Sequence, residues 1–174
     1  MQFITRFILA FLIFSLAFVR EGHATLNSGD HATPLFVQNY DISGQENAPR
    51  GITFNNDGSK MYIIGNTGQD VNEYNLSTNF DVSTASFVHK FSTSSTETVP
   101  MSVKFNNDGT KMFIVGSGGD EVNEYILTTA FDISTASHES IFSLSGYDTV
   151  PWGIDFNNDG TKMFITGNQG DDIN

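Results

Sequence analysis

Apolar and polar positions alternate in short segments along most of this chain, and the same segments return at a constant interval. In one such segment Ile52 and Phe54 alternate with polar residues, an Asn-Asp-Gly turn follows, and an apolar run begins at Met61. Alternation with a period of two indicates a β-strand, and Asn-Asp-Gly supplies the positive φ of a tight hairpin turn. The pattern therefore predicts a β-hairpin whose second strand is covered on both faces.

The hairpin motif Phe-Asn-Asn-Asp-Gly-(Ser/Thr)-Lys-Met occurs three times at intervals of 51 residues. Its copies begin at Phe54, Phe105 and Phe156. Residues 50–100 and 101–151 are identical at more than half of their positions, which identifies them as two copies of one unit. No segment keeps a helical period, so each copy is predicted to contain four short strands.

A four-stranded unit repeated about every 50 residues is typical of a β-propeller blade. The predicted fold class is all-β, with β-propeller blades of four antiparallel strands. Since a ring needs about four to eight blades, the ring is predicted to be incomplete in this chain, and the alternative is a short chain that closes by oligomerising. The predicted boundaries are a signal peptide at 1–24, a lead-in at 25–34, the fourth strand of a closing blade at 35–49, blade repeats at 50–100 and 101–151, and a partial blade repeat at 152–174.

The first 24 residues have the three parts of a secretory signal peptide. Arg6 provides a short positive region, residues 7–19 are apolar, and Gly22-His23-Ala24 offers small residues before a cleavage site. The apolar segment is shorter than the roughly 20 residues of a membrane span, although an uncleaved anchor is the alternative. We expect a secreted, periplasmic or cell-surface protein without a membrane span once the signal is removed.

Charge and composition argue against several classes of function. The formal net charge is −12, whereas a nucleic-acid partner requires a basic surface. The chain has no cysteine, which excludes disulfides, thiolate metal sites and a cysteine nucleophile. The four histidines, His23, His31, His89 and His138, show no catalytic pattern with Ser and Asp. We predict no catalytic residue, no nucleic-acid partner and no cofactor.

Calcium is the one metal for which the sequence offers a partial motif. Residues 155–160 spell the first half of a calcium loop, but Thr166 stands where such a loop has its bidentate Glu. A turn aspartate that accepts backbone hydrogen bonds explains all three copies, Asp57, Asp108 and Asp159. Turn chemistry is the favoured interpretation, with calcium as the alternative, and no metal ligand is assigned.

Positions at which the repeats differ are the candidates for a binding site. The residue after the repeated proline is Arg50, Met101 or Trp152, and each begins an innermost strand near the mouth of the central channel. Dissimilar side chains at one geometric position indicate a site that is not purely structural, and Trp and Arg are common contact residues. Drift at an exposed surface explains the same difference equally well. The loops between the second and third strands open on the same face and are predicted to form an acidic rim with Asp70, Asp120 and Asp171.

Two further repeated or paired features are predicted to be structural. Asn72-Glu73 and Asn123-Glu124 recur in the third strand, and a catalytic residue has no reason to occur once per blade. These groups are predicted to be satisfied between blades or at the rim. Lys104 and Asp155 lie at equal height in adjacent blades, where they are expected to pair.

The motif Phe-Asn-Asn-Asp-Gly-Thr-Lys-Met-Phe-Ile-Val-Gly, followed by Val-Asn-Glu-Tyr, resembles a family of propeller-like repeats found in secreted marine bacterial proteins and in phage structural proteins. The resemblance covers residues 36–174 and implies a fold rather than an activity. More distantly, Pro-x-Gly-Ile-x-Phe-x-x-Asp-Gly-x-x-Met-Tyr looks like the repeats of surface-layer and lactonase-like propellers. Those families include enzymes, but none of their catalytic sets matches residues of this chain.

The predicted function is an exported, non-enzymatic β-propeller binding or structural module, whose loops contact a protein, glycan or surface partner. One alternative is a calcium-assisted hydrolase of lactonase type. Another is an architectural repeat of a cell surface or phage particle. An oligomer is expected if the chain is not a fragment.

Overall fold

The computed structural model describes residues 39–169, which contain ten β-strands and two single-turn 3₁₀ helices. The first sheet consists of β1 (Pro49–Phe54), β2 (Lys60–Gly65), β3 (Asp70–Leu76) and β4 (Ala85–Ser92). The second consists of β5 (Pro100–Phe105), β6 (Lys111–Gly116), β7 (Glu121–Leu127) and β8 (Ala136–Ser143). A third pair consists of β9 (Pro151–Phe156) and β10 (Met163–Gly167). The 3₁₀ helices are Val82–Thr84 and Ile133–Thr135, and neither approaches the length needed to cross a bilayer.

Each four-stranded sheet is an antiparallel meander in which the strands pair in chain order. The first strands of successive sheets contact each other, β1 with β5 and β5 with β9. These strands are therefore the innermost ones, and β4 and β8 form the outer edges. The four-stranded antiparallel units of the predicted fold are confirmed, and we call each one a blade.

The Asn-Asp-Gly hairpins form as the sequence predicts. Gly58 has a φ of +72°, and the Asp57 carboxylate accepts a hydrogen bond from the Ser59 backbone N–H at 2.9 Å. Asp108 and Asp159 make the same contact in their own turns. The turn interpretation of these three aspartates is confirmed.

Neighbouring blades are joined at these turns by a row of asparagine contacts, which we call the asparagine ladder. The Asn56 side-chain amide donates to the Asn107 carbonyl at 2.6 Å, and the Asn107 side-chain amide donates to the Asn158 carbonyl at 2.5 Å. The donor and acceptor positions are 51 residues apart in both bonds. Repetition of the motif is thus matched by repetition of one contact between blades.

Apolar side chains fill the spaces between blades. Residues 61–65 of β2 are all buried, which confirms a second strand covered on both faces. The cluster between the first and second blades contains Tyr62, Ile64, Val71, Val103, Met112, Ile114, Tyr125, Leu127 and Ile133. A second cluster joins the second blade to β9 and β10 and contains Val115, Val122, Leu144, Ile154 and Ile165. Packing between sheets therefore supplies the core in a chain without disulfides.

The predicted boundaries are only partly within the described residues. The signal peptide and the lead-in lie outside them, as do residues 35–38 of the segment predicted as the fourth strand of a closing blade. Residues 39–48 of that segment have no strand conformation, and β1 begins at Pro49. Each inner strand begins at the repeated proline, one residue earlier than expected.

Candidate functional site

The three candidate residues that follow the repeated prolines lie together. Arg50, Met101 and Trp152 line one cavity of about 310 Å³ at the first residues of the inner strands. Trp152 is 51% exposed, so a large aromatic surface faces this cavity or solvent. That these side chains bind a ligand remains a prediction, but their common location is a property of the structure.

A β-bulge explains why these three side chains leave the sheet. In the first blade Pro49 pairs with Gly65 and Gly51 pairs with Ile64, so Arg50 has no cross-strand partner. The same register shift passes over Met101 in β5 and over Trp152 in β9. A bulged residue is free of the alternation that constrains its neighbours, and bulges commonly redirect a side chain.

The inner strands approach each other closely beside the cavity. A Cβ atom on Gly51 would lie 2.9 Å from the Met101 carbonyl oxygen and 3.0 Å from the Ile64 side chain. Gly51 therefore allows β1 to pack against β5 just after the bulge. This packing sets the distance between the Arg50 and Met101 side chains.

The predicted acidic rim is not formed as expected. Asp70 is only 1% exposed, because it begins β3 instead of standing in the loop before it. Its carboxylate accepts a hydrogen bond from the Asn72 amide at 2.6 Å and pairs with Lys90 Nζ at 3.0 Å. The prediction of an exposed rim position is wrong for Asp70. Asp120 is half-buried in its loop, and Asp171 lies outside the described residues.

A second repeated acid, which the sequence analysis missed, organises the face that carries the cavity. Glu46, Glu97 and Asp148 are 1%, 0% and 1% exposed, and they follow the same interval of 51 residues. The Glu46 carboxylate accepts hydrogen bonds from the backbone N–H groups of Ala48, Thr67 and Gly68, at 2.6, 3.1 and 3.0 Å. Glu46 thus joins the segment before its inner strand to the loop between the second and third strands of its blade.

Glu97 repeats this arrangement with fewer donors. It accepts from the Val99 and Gly118 backbone N–H groups at 2.6 and 3.0 Å, both on one oxygen, while its other carboxylate oxygen is buried without a partner among the described residues. Burial raises the pKa of Glu97 above its ordinary value, and its hydrogen bonds offset this only in part. Burial also opposes ionisation of Glu46, but its three backbone donors prevail and the pKa of Glu46 is lowered.

The repeated glycine at the end of the second strand makes room for each acid. A Cβ on Gly65 would lie 2.3 Å from the Glu46 side chain, and a Cβ on Gly167 would lie 2.1 Å from the Asp148 carboxylate. In each of the three copies the acid precedes this glycine by the same number of residues, and this regularity could have been recognised from the sequence. These acids are structural ties, and none of them faces the Arg50–Met101–Trp152 cavity as a lining residue.

The predictions of structural pairing between blades are confirmed for Glu73 and for Lys104 with Asp155. The prediction that Asn123 is satisfied is wrong, because both polar atoms of its side chain are buried without a hydrogen-bond partner among the described residues. Glu73 is 1% exposed, accepts from Lys60 Nζ at 2.6 Å, and accepts from the Ile133 backbone N–H of the next blade at 3.1 Å. Lys104 Nζ lies 3.2 Å from the Asp155 carboxylate. Asp155 has its pKa lowered, since its hydrogen bond from the Phe156 N–H and the nearby Lys104 outweigh the effect of burial.

No protein-family model matches the sequence, and no curated protein sequence matches it either. Several solved structures do match the fold. The periplasmic gluconolactonase of Pseudomonas aeruginosa matches with a TM-score of 0.53 at 14% identity, over 72% of this chain and 34% of that chain. Virginiamycin B lyase from Staphylococcus aureus matches with a TM-score of 0.51 at 17% identity, over 72% and 36%. A functionally unknown protein from Desulfotomaculum acetoxidans matches with 0.53 at 18% identity, over 72% and 38%.

The chain therefore spans little more than a third of the length of these structures. Identities this low establish the fold and no activity. Together with the sheet order, they confirm the all-β fold of β-propeller blades and a distant likeness to lactonase-type propellers. The more specific repeat family suggested by the sequence motif finds no support in these comparisons.

Proposed function

We propose that this chain is part of an exported β-propeller that binds a ligand, without catalysis, at the Arg50–Met101–Trp152 cavity. One observation carries the proposal. Three sequence repeats each place a different side chain at a β-bulge, and all three side chains line one cavity. A position with no ladder partner has no structural reason to hold Arg, Met and Trp in turn.

The chemistry of the cavity favours a ligand with a flat apolar face and a carboxylate. Trp152 offers a ring for stacking, and Met101 offers a flexible, polarisable surface. The Arg50 guanidinium matches a carboxylate through two parallel hydrogen bonds. A volume of about 310 Å³ is at the lower end of ligand pockets, which suits one sugar ring or one side chain. An acidic glycan, or an acidic segment of a protein, fits these features.

The test uses the fact that Trp152 is the single tryptophan of the chain, so its fluorescence reports directly on the cavity. We expect glucuronate oligosaccharides to change this fluorescence saturably, and the neutral glucose oligosaccharides to bind at least about 10-fold more weakly. Arg50→Ala should remove the preference for the acidic sugar. Lys162→Ala, a cation at the far end of the third repeat's hairpin, is the matched control and should leave it unchanged. A panel of acidic and neutral glycans and acidic peptides with no saturable change would contradict the proposal.

A hydrolase of lactonase type is the second candidate, because one of the matched structures is named a gluconolactonase. Such an enzyme needs several carboxylates or amides converging on the channel. The two candidate acids have other partners, since Asp155 pairs with Lys104 and Asp159 accepts from Thr161 in its turn. Hydrolysis of gluconolactone that requires added Ca²⁺ and is lost in Asp155→Asn would establish this alternative in place of simple binding.

A further inference from the structure

A group of three potential metal ligands lies at the junction of the first two blades, away from the cavity described above. Glu73 projects from β3, His89 from β4, and Asp132 from the segment before the second 3₁₀ helix. Glu73 Oε2 is 3.6 Å from His89 Nε2, and His89 Nε2 is 3.9 Å from Asp132 Oδ1. One donor atom from each residue lies within 4.8 Å of the other two. Two blades thus contribute ligands to one point.

The second blade shows what is unusual about His89. At the same register position the second blade has Ser140, whose hydroxyl donates to Glu124 Oε2 at 2.8 Å. In the first blade the corresponding Glu73 oxygen faces an imidazole nitrogen at a distance too long for a hydrogen bond. His89 Nε2 is buried and has no hydrogen-bond partner among the described residues. The histidine therefore leaves a polar atom unsatisfied where the serine does not.

A divalent ion accounts for this arrangement. Zn²⁺ binds His nitrogen at about 2.0–2.1 Å and carboxylate oxygen at about 2.0–2.2 Å, so tetrahedral ligands lie roughly 3.3–3.5 Å apart. The observed 3.6 and 3.9 Å need only a small contraction. One histidine and two carboxylates leave the fourth position to water. Calcium is disfavoured, since it takes six to eight oxygen ligands. We propose that Glu73, His89 and Asp132 bind a Zn²⁺ ion between the first two blades.

Neighbouring groups orient the two carboxylates for this role. Lys60 Nζ donates to Glu73 Oε1 at 2.6 Å, while Oε2 accepts from the Ile133 backbone N–H at 3.1 Å and lies 3.6 Å from His89 Nε2. Asp132 Oδ1 accepts from the Ser134 backbone N–H at 3.0 Å and from its hydroxyl at 2.6 Å. Such outer contacts fix ligand orientation in metal sites. The Lys60 charge weakens attraction for the ion, but the two carboxylates outnumber it.

Binding at this point has a structural consequence. Because the ligands belong to two blades, the ion binds the folded state and has no equivalent site in the unfolded chain. Zinc should therefore raise the thermal midpoint of unfolding, and the rise should continue with the logarithm of the free zinc concentration after the site is saturated. This inference does not depend on the proposed ligand cavity, whose residues take no part in it.

The experiment titrates the full chain, freed of metal with a chelator, with ZnCl₂ by calorimetry and with CoCl₂ by visible absorption. We expect one Zn²⁺ per chain and the d–d bands of tetrahedral cobalt. His89→Ser introduces the residue of the second blade at this position and should weaken zinc affinity at least about 100-fold. His138→Ser is the matched control, since His138 lies on β8 and stacks against Tyr125. It should bind zinc as the original chain does.

A second variant guards against a folding defect. Asp132→Asn keeps an oxygen for the Ser134 contacts and removes only the charge, so we expect a folded protein with zinc affinity reduced at least about 10-fold. Equal zinc binding by the original chain and His89→Ser would place the ion elsewhere and overturn the assignment. Failure of the original chain to bind zinc in either titration would also overturn it.

Discussion

The two ends of the innermost strands obey opposite rules. At the hairpin end the Asn-Asp-Gly turns are the same in all three repeats, and the asparagine ladder joins each turn to the next. At the opening end the bulged residues are Arg50, Met101 and Trp152, which share no chemistry. At the turns the repeats keep the asparagine that binds the next repeat, and at the bulge they differ where the side chain has no partner in the sheet. The comparison teaches that variation within a repeat protein marks the positions free for another role.

The largest expected effect comes from a change at the hairpin end. Gly109 has a φ of +71°, and a Cβ there would lie 2.3 Å from the Phe131 ring. Gly109→Ala should lower the free energy of unfolding by roughly 2–4 kcal/mol, since backbone strain and overpacking add. Urea denaturation measures the difference. Gly146→Ala is the control, because its Cβ would meet no atom within 4 Å. Equal losses in the two variants would break the comparison.

A pH dependence distinguishes the two buried glutamates of the cavity face. The raised pKa of Glu97 means that its contribution to stability is present below the ordinary value near 4.5 and is lost as the pH rises through the folded pKa. The lowered pKa of Glu46 means that its contribution is present above 4.5 and is lost as the pH falls through the folded pKa. The stability of the chain should therefore respond to pH in opposite directions at these two carboxyl groups.

Urea denaturation between pH 3 and pH 7 tests both signs. Relative to Glu97→Gln, the original chain should lose stability as the pH rises above 4.5. Relative to Glu46→Gln, it should lose stability as the pH falls below 4.5. Parallel pH profiles for the two variants would show that the extra backbone donor on Glu46 has no effect.

The asparagine ladder should contribute a smaller amount. Asn107→Ala removes one hydrogen bond between the second and third repeats, and we expect a loss of about 0.5–1.5 kcal/mol in the free energy of unfolding. The exposed Asn168→Ala should change it by less than about 0.5 kcal/mol. If Asn107→Ala leaves the free energy of unfolding unchanged, the repeated turn sequence serves only the local turn conformation.

The smallest effect on stability is expected at the opening end. Arg50 is exposed and has no cross-strand partner, so Arg50→Ala should change the free energy of unfolding by less than about 0.5 kcal/mol. A loss greater than about 1.5 kcal/mol in the same denaturation assay would assign Arg50 to the framework and remove the contrast between the two ends.

Much of the fold is predictable because its signals are local. Alternation around Phe54, the Asn-Asp-Gly turn and the interval of 51 residues together define strands, hairpins and blades. The candidates Arg50, Met101 and Trp152 follow from comparing repeats. The β-bulge at these three positions does not follow from the sequence, because it depends on the pairing register between the inner strand and the second strand.

The remaining features depend on contacts between distant segments. From the sequence Asp70 is predicted to be a loop residue, and only the pairing of β3 with β4 brings Lys90 beside it. His89 is unremarkable on an outer strand until the second blade brings Asp132 against it. The repeated acid at Glu46, Glu97 and Asp148 can be recognised from the sequence, because it recurs every 51 residues. Its burial cannot be recognised in this way.

The asparagine ladder has a direction. The second repeat accepts through the Asn107 carbonyl on one flank and donates through the Asn107 side-chain amide on the other, so its two flanks are unlike and neighbouring repeats join in one rotational sense only. A further 51-residue copy inserted at either junction would meet a side-chain donor in the repeat before it and a main-chain acceptor in the repeat after it. Whole repeats can therefore be duplicated or deleted in such an array, and each new junction would form the same asparagine hydrogen bond.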